Sequence, residues 1–221
     1  MTVVVKVGGA VVARSAGAVL ELAKTMKVCV VHGAGPQISV EMERAGIPVE
    51  FVDGRRVTTA AGLEIVRRSF ETVNDELCDA IGERAEPLFG DQIGLEADPV
   101  PELGLVGEAR PSVLPAITDA LDAGRIPVVA PIAVGPLNVN ADSASAAIAT
   151  SIGADQLLFL TDVDGLILGG EVVDRIEVAD AEELMASGTL EGGIIPKLGA
   201  AITAARRGVP AFIGQTEVPI P

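Results

Sequence analysis

The feature that most constrains the fold of this chain is a pair of nearly unbroken apolar runs, Val3 to Val7 and Val28 to Val31, each of which leads almost directly into glycines. A strand with one wet face alternates apolar and polar residues, whereas a run that is apolar at every position suits a strand covered on both faces. Between the two runs, Ser15 to Met26 sets Val19, Leu22, Ala23 and Met26 on one helical face, so the segment reads as a βαβ unit. The pattern returns further along. Ser112 to Ala123, closed by Gly124, reads as a helix, and Ile126 to Ala130 and Gln156 to Leu160 as buried strands. Ala200 to Arg207 is a further helix, and Ala211 to Ile213 is expected to be the last strand. No repeat, low-complexity tract or separating linker interrupts this order, which predicts a single α/β domain over residues 1–221.

Composition narrows the partners. With 221 residues, 49% of them apolar, the chain can bury a full core. A formal charge of -15 opposes nucleic acid and anionic membranes as partners, so any anionic ligand must be met by a few locally placed cations. Cys29 and Cys78 lack CxxC spacing and read as free core thiols, and the lone His32 reads as a residue that orients a loop; neither implies a metal site. The start, Met1 to Val12, has no basic leader and is broken by Lys6, Gly8 and Gly9, so a cytoplasmic protein without a membrane span is expected.

Against this background the polar intruders matter. Lys6 sits inside the first apolar run, two residues before Gly8-Gly9, a costly place unless its ammonium reaches a ligand or partner at the end of the strand. The second run enters His32-Gly33-Ala34-Gly35-Pro36 and then a helix, an arrangement that exposes backbone N–H groups to an anion. A dinucleotide fingerprint is rejected there, because the third glycine is missing and Pro36 lies inside the loop. Val49 to Val52 reads as a short strand, and Leu63, Val66, Phe70, Val73, Leu77 and Ile81 mark one face of a long helix. Between them lies Gly54-Arg55-Arg56-Val57-Thr58, where an arginine on a short turn suits a bidentate grip on a carboxylate, although either arginine could equally be solvated. Residues 88–107 read as a strand and a hairpin over the surface. In Asn138-Val139-Asn140-Ala141-Asp142, Asp142 reads as a helix N-cap or first-turn residue. The alternating asparagines fit either a structural turn or a pair of amides gripping one polar ligand. Thr161-Asp162-Val163 ends another strand, Leu166 to Val173 reads as a hairpin around Gly169-Gly170, and Gly192 to Lys197 opens a helix with a second lysine near its start.

Taken in series, Lys6-Val7-Gly8-Gly9, His32 to Pro36, Gly54 to Thr58, Asn138 to Asp142, Thr161-Asp162-Val163 and Gly193 to Lys197 resemble the acetylglutamate kinases of the amino-acid-kinase family, in order and spacing, from Val3 to about Gly214. The resemblance implies a three-layer α/β/α sandwich with an open, mainly parallel central sheet. Residues 1–153 would form the substrate half and 154–221 the nucleotide half. It also implies ATP-dependent phosphorylation of the side-chain carboxylate of N-acetyl-L-glutamate in arginine biosynthesis, with Mg2+ carried by ATP rather than by a protein metal site.

By the same resemblance Lys6 and Lys197 would attend the transferring phosphoryl group with Asp142 orienting both, and the backbone at Gly8, Gly9, Ala34 and Gly35 would cradle phosphoryl and substrate. Arg56 would take the α-carboxylate, Asn138 with Asn140 the acetylamino end, and Thr161, Asp162, Gly193 and Ile195 the nucleotide. The chain departs from the family at Ala34, where a glycine is usual, and in ending at Pro221 without the family's last helix and Gly-Thr strand. Starting directly at its first strand, it is expected to be a homodimer insensitive to arginine. The alternatives are a kinase of carrier-protein-linked aminoadipate in lysine biosynthesis and a catalytically silent protein on the same fold.

Overall fold

The computed structural model describes residues 1–9, 12–52, 54–161 and 164–221, with side chains in the first helix from Ser15 onward. The strands in chain order are β1 (Thr2–Val7), β2 (Lys27–His32), β3 (Phe51–Val52), β4 (Arg55–Arg56), β5 (Ala85–Phe89), β6 (Glu96–Pro99), β7 (Val106–Arg110) and β8 (Ile126–Ala130). They continue with β9 (Ile132–Ala133), β10 (Leu137–Val139), β11 (Gln156–Leu160), β12 (Ile167–Leu168), β13 (Glu171–Val172), β14 (Ala211–Ile213) and β15 (Thr216–Val218). The helices are α1 (Val12–Leu22), α2 (Gly35–Arg44), α3 (Ala60–Ile81), α4 (Gly90–Ile93), α5 (Pro115–Asp122), α6 (Ala141–Ser151), α7 (Val178–Ala186) and α8 (Ile194–Arg206).

Seven strands form the central sheet in the order β15-β14-β11-β1-β2-β8-β5, parallel throughout except for β15, which runs antiparallel to β14. Because side chains alternate across a strand, each apolar run feeds two cores. Val3, Val5 and Val7 pack with Val28, Val30 and Val128 under α1, α2 and α3. Val4, Cys29, Val31, Val129, Leu157 and Phe159 pack under α5, α6 and α8 on the opposite face. That is the three-layer sandwich, and the parity of β1 sends Lys6 to the α6 side.

Several boundaries differ from the sequence reading. Helix α1 begins at Val12, and α5 is shortened by Pro115, which occupies its first turn. Strand β5, the edge strand of the main sheet, begins three residues before the segment 88–107 read as a strand and a hairpin over the surface, and only its last two residues fall within that segment. Pro87 fits there because an edge strand has one side without a ladder partner. Strands β6 and β7 do form a hairpin, and it continues through β10 and β9 into a second, four-stranded sheet. Strand β15 was not anticipated; its Thr216 is fully buried, donates to Val173 O at 2.6 Å and accepts from Leu166 N at 2.8 Å. The hairpin around Gly169-Gly170 forms as expected, from β12 and β13.

Strand β1 lies between β2, which follows it in sequence, and β11, which comes much later. In open α/β sheets the crevice at the carboxyl ends of strands flanking such a reversal is where ligands bind. The ends of β1, β2 and β11 deliver Gly8-Gly9, Gly33 and Thr161 to one cleft.

Candidate active site

The cleft has a volume of about 490 Å³ and brings together Lys6, Arg56, Asn138, Asn140, Asp142 and Lys197, with Gly8, Gly9, Gly35, Thr161 and Gly193 along its walls. Residues separated by nearly the whole chain thus meet at one site. Asp162 lies outside the described residues. Ala34 and Ile195 do not line this cleft: Ala34 is 1% exposed beneath the loop, and Ile195 faces a separate groove between α6 and α8.

Lys6 Nζ lies 2.8 Å from Asp142 Oδ1, and both side chains are only 7% exposed. A lysine in a buried strand is tolerable because this carboxylate compensates its charge. Asp142 is free to do so because it is not the helix cap. Asn140 is, with its Oδ1 accepting from Asp142 N at 2.7 Å and Ser143 N at 3.4 Å. The two asparagines therefore do not act as a matched pair of amides. Asn140 spends its oxygen on α6, while Asn138, 8% exposed on β10, donates through Nδ2 to Thr58 Oγ1 at 3.0 Å.

Arg55 and Arg56 stand on β4, paired with β3, rather than on a turn, and alternation separates them. Arg56 is turned inward at 6% exposure, donating through Nη2 to Gly35 O at 3.0 Å and Ser39 Oγ at 2.8 Å, with its guanidinium 4.5 Å from the centre of the Phe51 ring. Burial lowers its pKa from the usual value without threatening its charge. Arg55 instead pairs with Glu108 at 3.4 Å.

Backbone dipoles add to the cations. Helices α2 and α8 begin at the cleft, and no described side chain caps either of them, so their first N–H groups are left for an anion. Ala34 has φ -141° and ψ 28°, so its φ is negative and the loop does not place it in the left-handed region that favours glycine. Gly9 is different: a Cβ there would lie 2.9 Å from Gln37 Oε1 and 3.1 Å from Ala34 Cα, so the two loops touch through a residue with no side chain. Lys197 Nζ donates to Gly193 O at 3.1 Å, within the first turn of α8.

The candidate nucleophiles and bases are silent. Burial pushes the Cys29 thiol up to about 12 and the Cys78 thiol up to about 11, the latter helped by Asp75 and Asp79, so neither is a thiolate at neutral pH. Burial lowers His32 to about 4, which keeps it neutral. The ring lies 3.1 Å from Asn74 Nδ2 beneath the glycine loop and edge-on to Phe70. Thr58 and Phe51 were missed as contributors. Thr58 lay within a quoted motif but its partner is 80 residues away, and Phe51 was detectable as one of 5 phenylalanines in a chain without tryptophan or tyrosine.

A cleft at the switch point of an open parallel sheet, walled by glycine loops and lined with cations, belongs to a protein that handles phosphorylated ligands. The model of the amino acid kinase family matches residues 1–215, and the chain belongs to that family. The acetylglutamate kinase of Rubrobacter xylanophilus is 43% identical over 224 residues, spanning 96% of this chain and 88% of that protein. The acetylglutamate kinase of Chloroflexus aggregans is 39% identical, over 83% of this chain and 78% of its own length. Among solved structures, that of smu.665 from Streptococcus mutans superposes with a TM-score of 0.88 at 26% identity, over 100% of this chain and 99% of the other.

Proposed function

We propose that the protein is an ATP-dependent kinase of N-acetyl-L-glutamate, forming N-acetyl-L-glutamyl 5-phosphate in arginine biosynthesis. The observation that best supports this is the joint presence, in one cleft, of Lys6 held by Asp142, Lys197, an inward-facing Arg56 and the uncapped starts of α2 and α8. A carboxylate nucleophile is already ionised at neutral pH, so the reaction needs no general base. It needs two anions brought into line and their charge offset.

In this reading a side-chain carboxylate oxygen attacks the γ-phosphorus, the bond to the bridging oxygen of ADP breaks, and the electron pair leaves with ADP. No proton is transferred. Lys6, oriented by Asp142, and Lys197 meet the equatorial phosphoryl oxygens, and the N–H groups at Gly8, Gly9 and Gly35 surround the transfer path. Arg56 grips the α-carboxylate, and Asn138, with Asn140 at the edge, meets the acetylamino end. Thr161, Asp162 and Gly193 border the nucleotide, with Ile195 contributing backbone only. Among the described residues no group of three or more His, Cys, Asp or Glu side chains is placed to hold a metal ion. Mg2+ would enter on the phosphates of ATP and supply further neutralisation of their charge.

Trapping the product with hydroxylamine tests the reading. Acetylglutamate and MgATP should give a hydroxamate together with stoichiometric ADP, and carrier-bound aminoadipate should give none. ADP release without hydroxamate would exclude a carboxylate acceptor, and turnover of the carrier-bound substrate alone would favour the lysine-pathway alternative. Among the described residues no helix is long and apolar enough to cross a membrane.

A further inference from the structure

We propose that Thr58 is a positioning residue that fixes which end of the Asn138 amide the cleft sees, and thereby makes an N–H on the substrate a condition of recognition. The inference rests on the reading that Asn138 meets the acetylamino end. Thr58 is fully buried, and the loop before β7 grips its backbone on both sides. Thr58 N donates to Leu103 O at 2.9 Å, and Leu105 N donates to Thr58 O at 2.8 Å. Between them, a Cβ on Gly104, at φ +83°, would lie 2.4 Å from Thr58 O, so the grip is possible only with glycine there. The hydroxyl therefore has little freedom to move.

Its proton has one destination. Thr58 Oγ1 lies 2.8 Å from the carbonyl oxygen of Arg56, which can only accept, so the hydroxyl donates there. What Oγ1 presents to Asn138, 3.0 Å away, is then a lone pair, and the amide atom opposite it must be the donor Nδ2. This assignment follows from counting protons, independently of how the amide was placed. Asn138 lines the cleft, and with its nitrogen committed to Thr58 the oxygen at the other end of the amide is the atom this reading turns toward a ligand. An acceptor held in that position favours a ligand N–H and opposes a ligand lone pair. The same hydroxyl ties Asn138 to the backbone of Arg56, so the two groups read as gripping neighbouring substituents of the substrate's α-carbon, its acetylamino group and its carboxylate, are set in register by one side chain.

The test compares N-acetylglutamate with 2-acetoxyglutarate, which keeps the acetyl group and both carboxylates but carries an ester oxygen in place of N–H. Wild-type enzyme should prefer the amide by about a hundredfold or more in kcat/KM, since a site built to bond an N–H rejects an analogue lacking it. Thr58→Val removes the hydroxyl while keeping the shape, frees the amide to turn over, and should reduce that preference about tenfold, mainly through KM. Thr58→Ser should restore the wild-type ratio. Should Thr58→Val fail to fold, judged by its thermal melt, the ratio is read in Thr58→Ala. A control separates this inference from the one beneath it. If Asn138→Ala leaves both KM and the ratio unchanged, Asn138 does not meet the substrate and both readings fall. If Asn138→Ala collapses the ratio while the Thr58 variants keep it, the positioning role alone is overturned.

Discussion

Two lysines reach the same cleft and are held in different ways. Lys6 stands on the central strand of the sheet, with its ammonium 2.8 Å from Asp142 and almost no exposure. Lys197 stands on the first turn of α8, half-buried, and one contact of its ammonium is the carbonyl of Gly193 in that same turn, a contact that travels with the helix. A cation fixed in advance costs no reorganisation when charge develops, whereas one mounted on a helix start can follow a nucleotide as it seats. The difference suggests a division of labour, with a rigid acceptor side built from β1, β4 and α6 and a more adjustable donor side built from α8.

The largest expected effects test whether that division is real. Lys6→Ala and Lys197→Ala should each lower kcat by about a hundredfold or more in single-turnover transfer with saturating MgATP and acetylglutamate. Their stabilities should part company. Removing Lys6 leaves the Asp142 carboxylate buried without its partner, a loss of about 3 kcal/mol, or about 6 to 12 °C in Tm for a chain of this length. Removing Lys197, whose side chain is only half-buried, should lower Tm by less than removing Lys6 does. Equal melting temperatures in the two variants would erase the distinction, and near-normal transfer rates in both would remove the charge clamp itself. Asp142→Asn should fall between the Lys6 variant and wild type in rate, and pairing it with Lys6→Ala should be less than additive, because the two side chains act as a unit.

On the rigid side, Arg56→Lys keeps the charge but loses the planar fork that Gly35 O and Ser39 Oγ hold in place. It should raise KM for acetylglutamate by about tenfold or more while changing kcat far less, the signature of a contact made equally in ground and transition states. A matching fall in kcat would place Arg56 on the transferring group. Phe51→Leu should act in the same direction but weakly. The ring is 55% exposed, and a cation–π contact of that kind contributes about 0.5–1 kcal/mol, or roughly a two- to fivefold rise in KM.

The sequence revealed the elements of this site better than their pairings. The apolar runs, the glycine loops at their ends and the misplaced Lys6 are local signals with a physical cost, and they located the parallel sheet and the cleft at its carboxyl edge. The sequence allowed Asp142 as either N-cap or first-turn residue and could not choose, because Asn140 and Asp142 both make good N-caps and only the arrival of Lys6, 136 residues away along the chain from Asp142, decides which one is needed elsewhere. Strand β5 was misplaced because Ala85-Glu86-Pro87 carries neither an apolar run nor a clean alternation, as an edge strand is free to do. Thr58 shows the same limit, since a hydroxyl in a motif says nothing about a partner 80 residues on.

The smallest effect is expected at Arg55, and it bears most directly on the choice between the two arginines. Both residues border the cleft and both carry the charge a carboxylate needs, so composition cannot separate them. Alternation along β4 does. Arg56 is buried against α2, while Arg55 keeps 32% of its side chain exposed and reaches Glu108, itself 47% exposed, at a loose 3.4 Å. A pair this open contributes about 0–1 kcal/mol and is screened by salt. Arg55→Ala should therefore change KM and kcat by less than about twofold, with the difference shrinking further as ionic strength rises. The measurement is a pair of acetylglutamate saturation curves at low and physiological salt for wild type, Arg55→Ala and Arg56→Lys. If Arg55→Ala raises KM as much as Arg56→Lys, the inward-facing arginine is not the sole grip, and the rigid acceptor side must include a residue that in this conformation pairs with a surface glutamate.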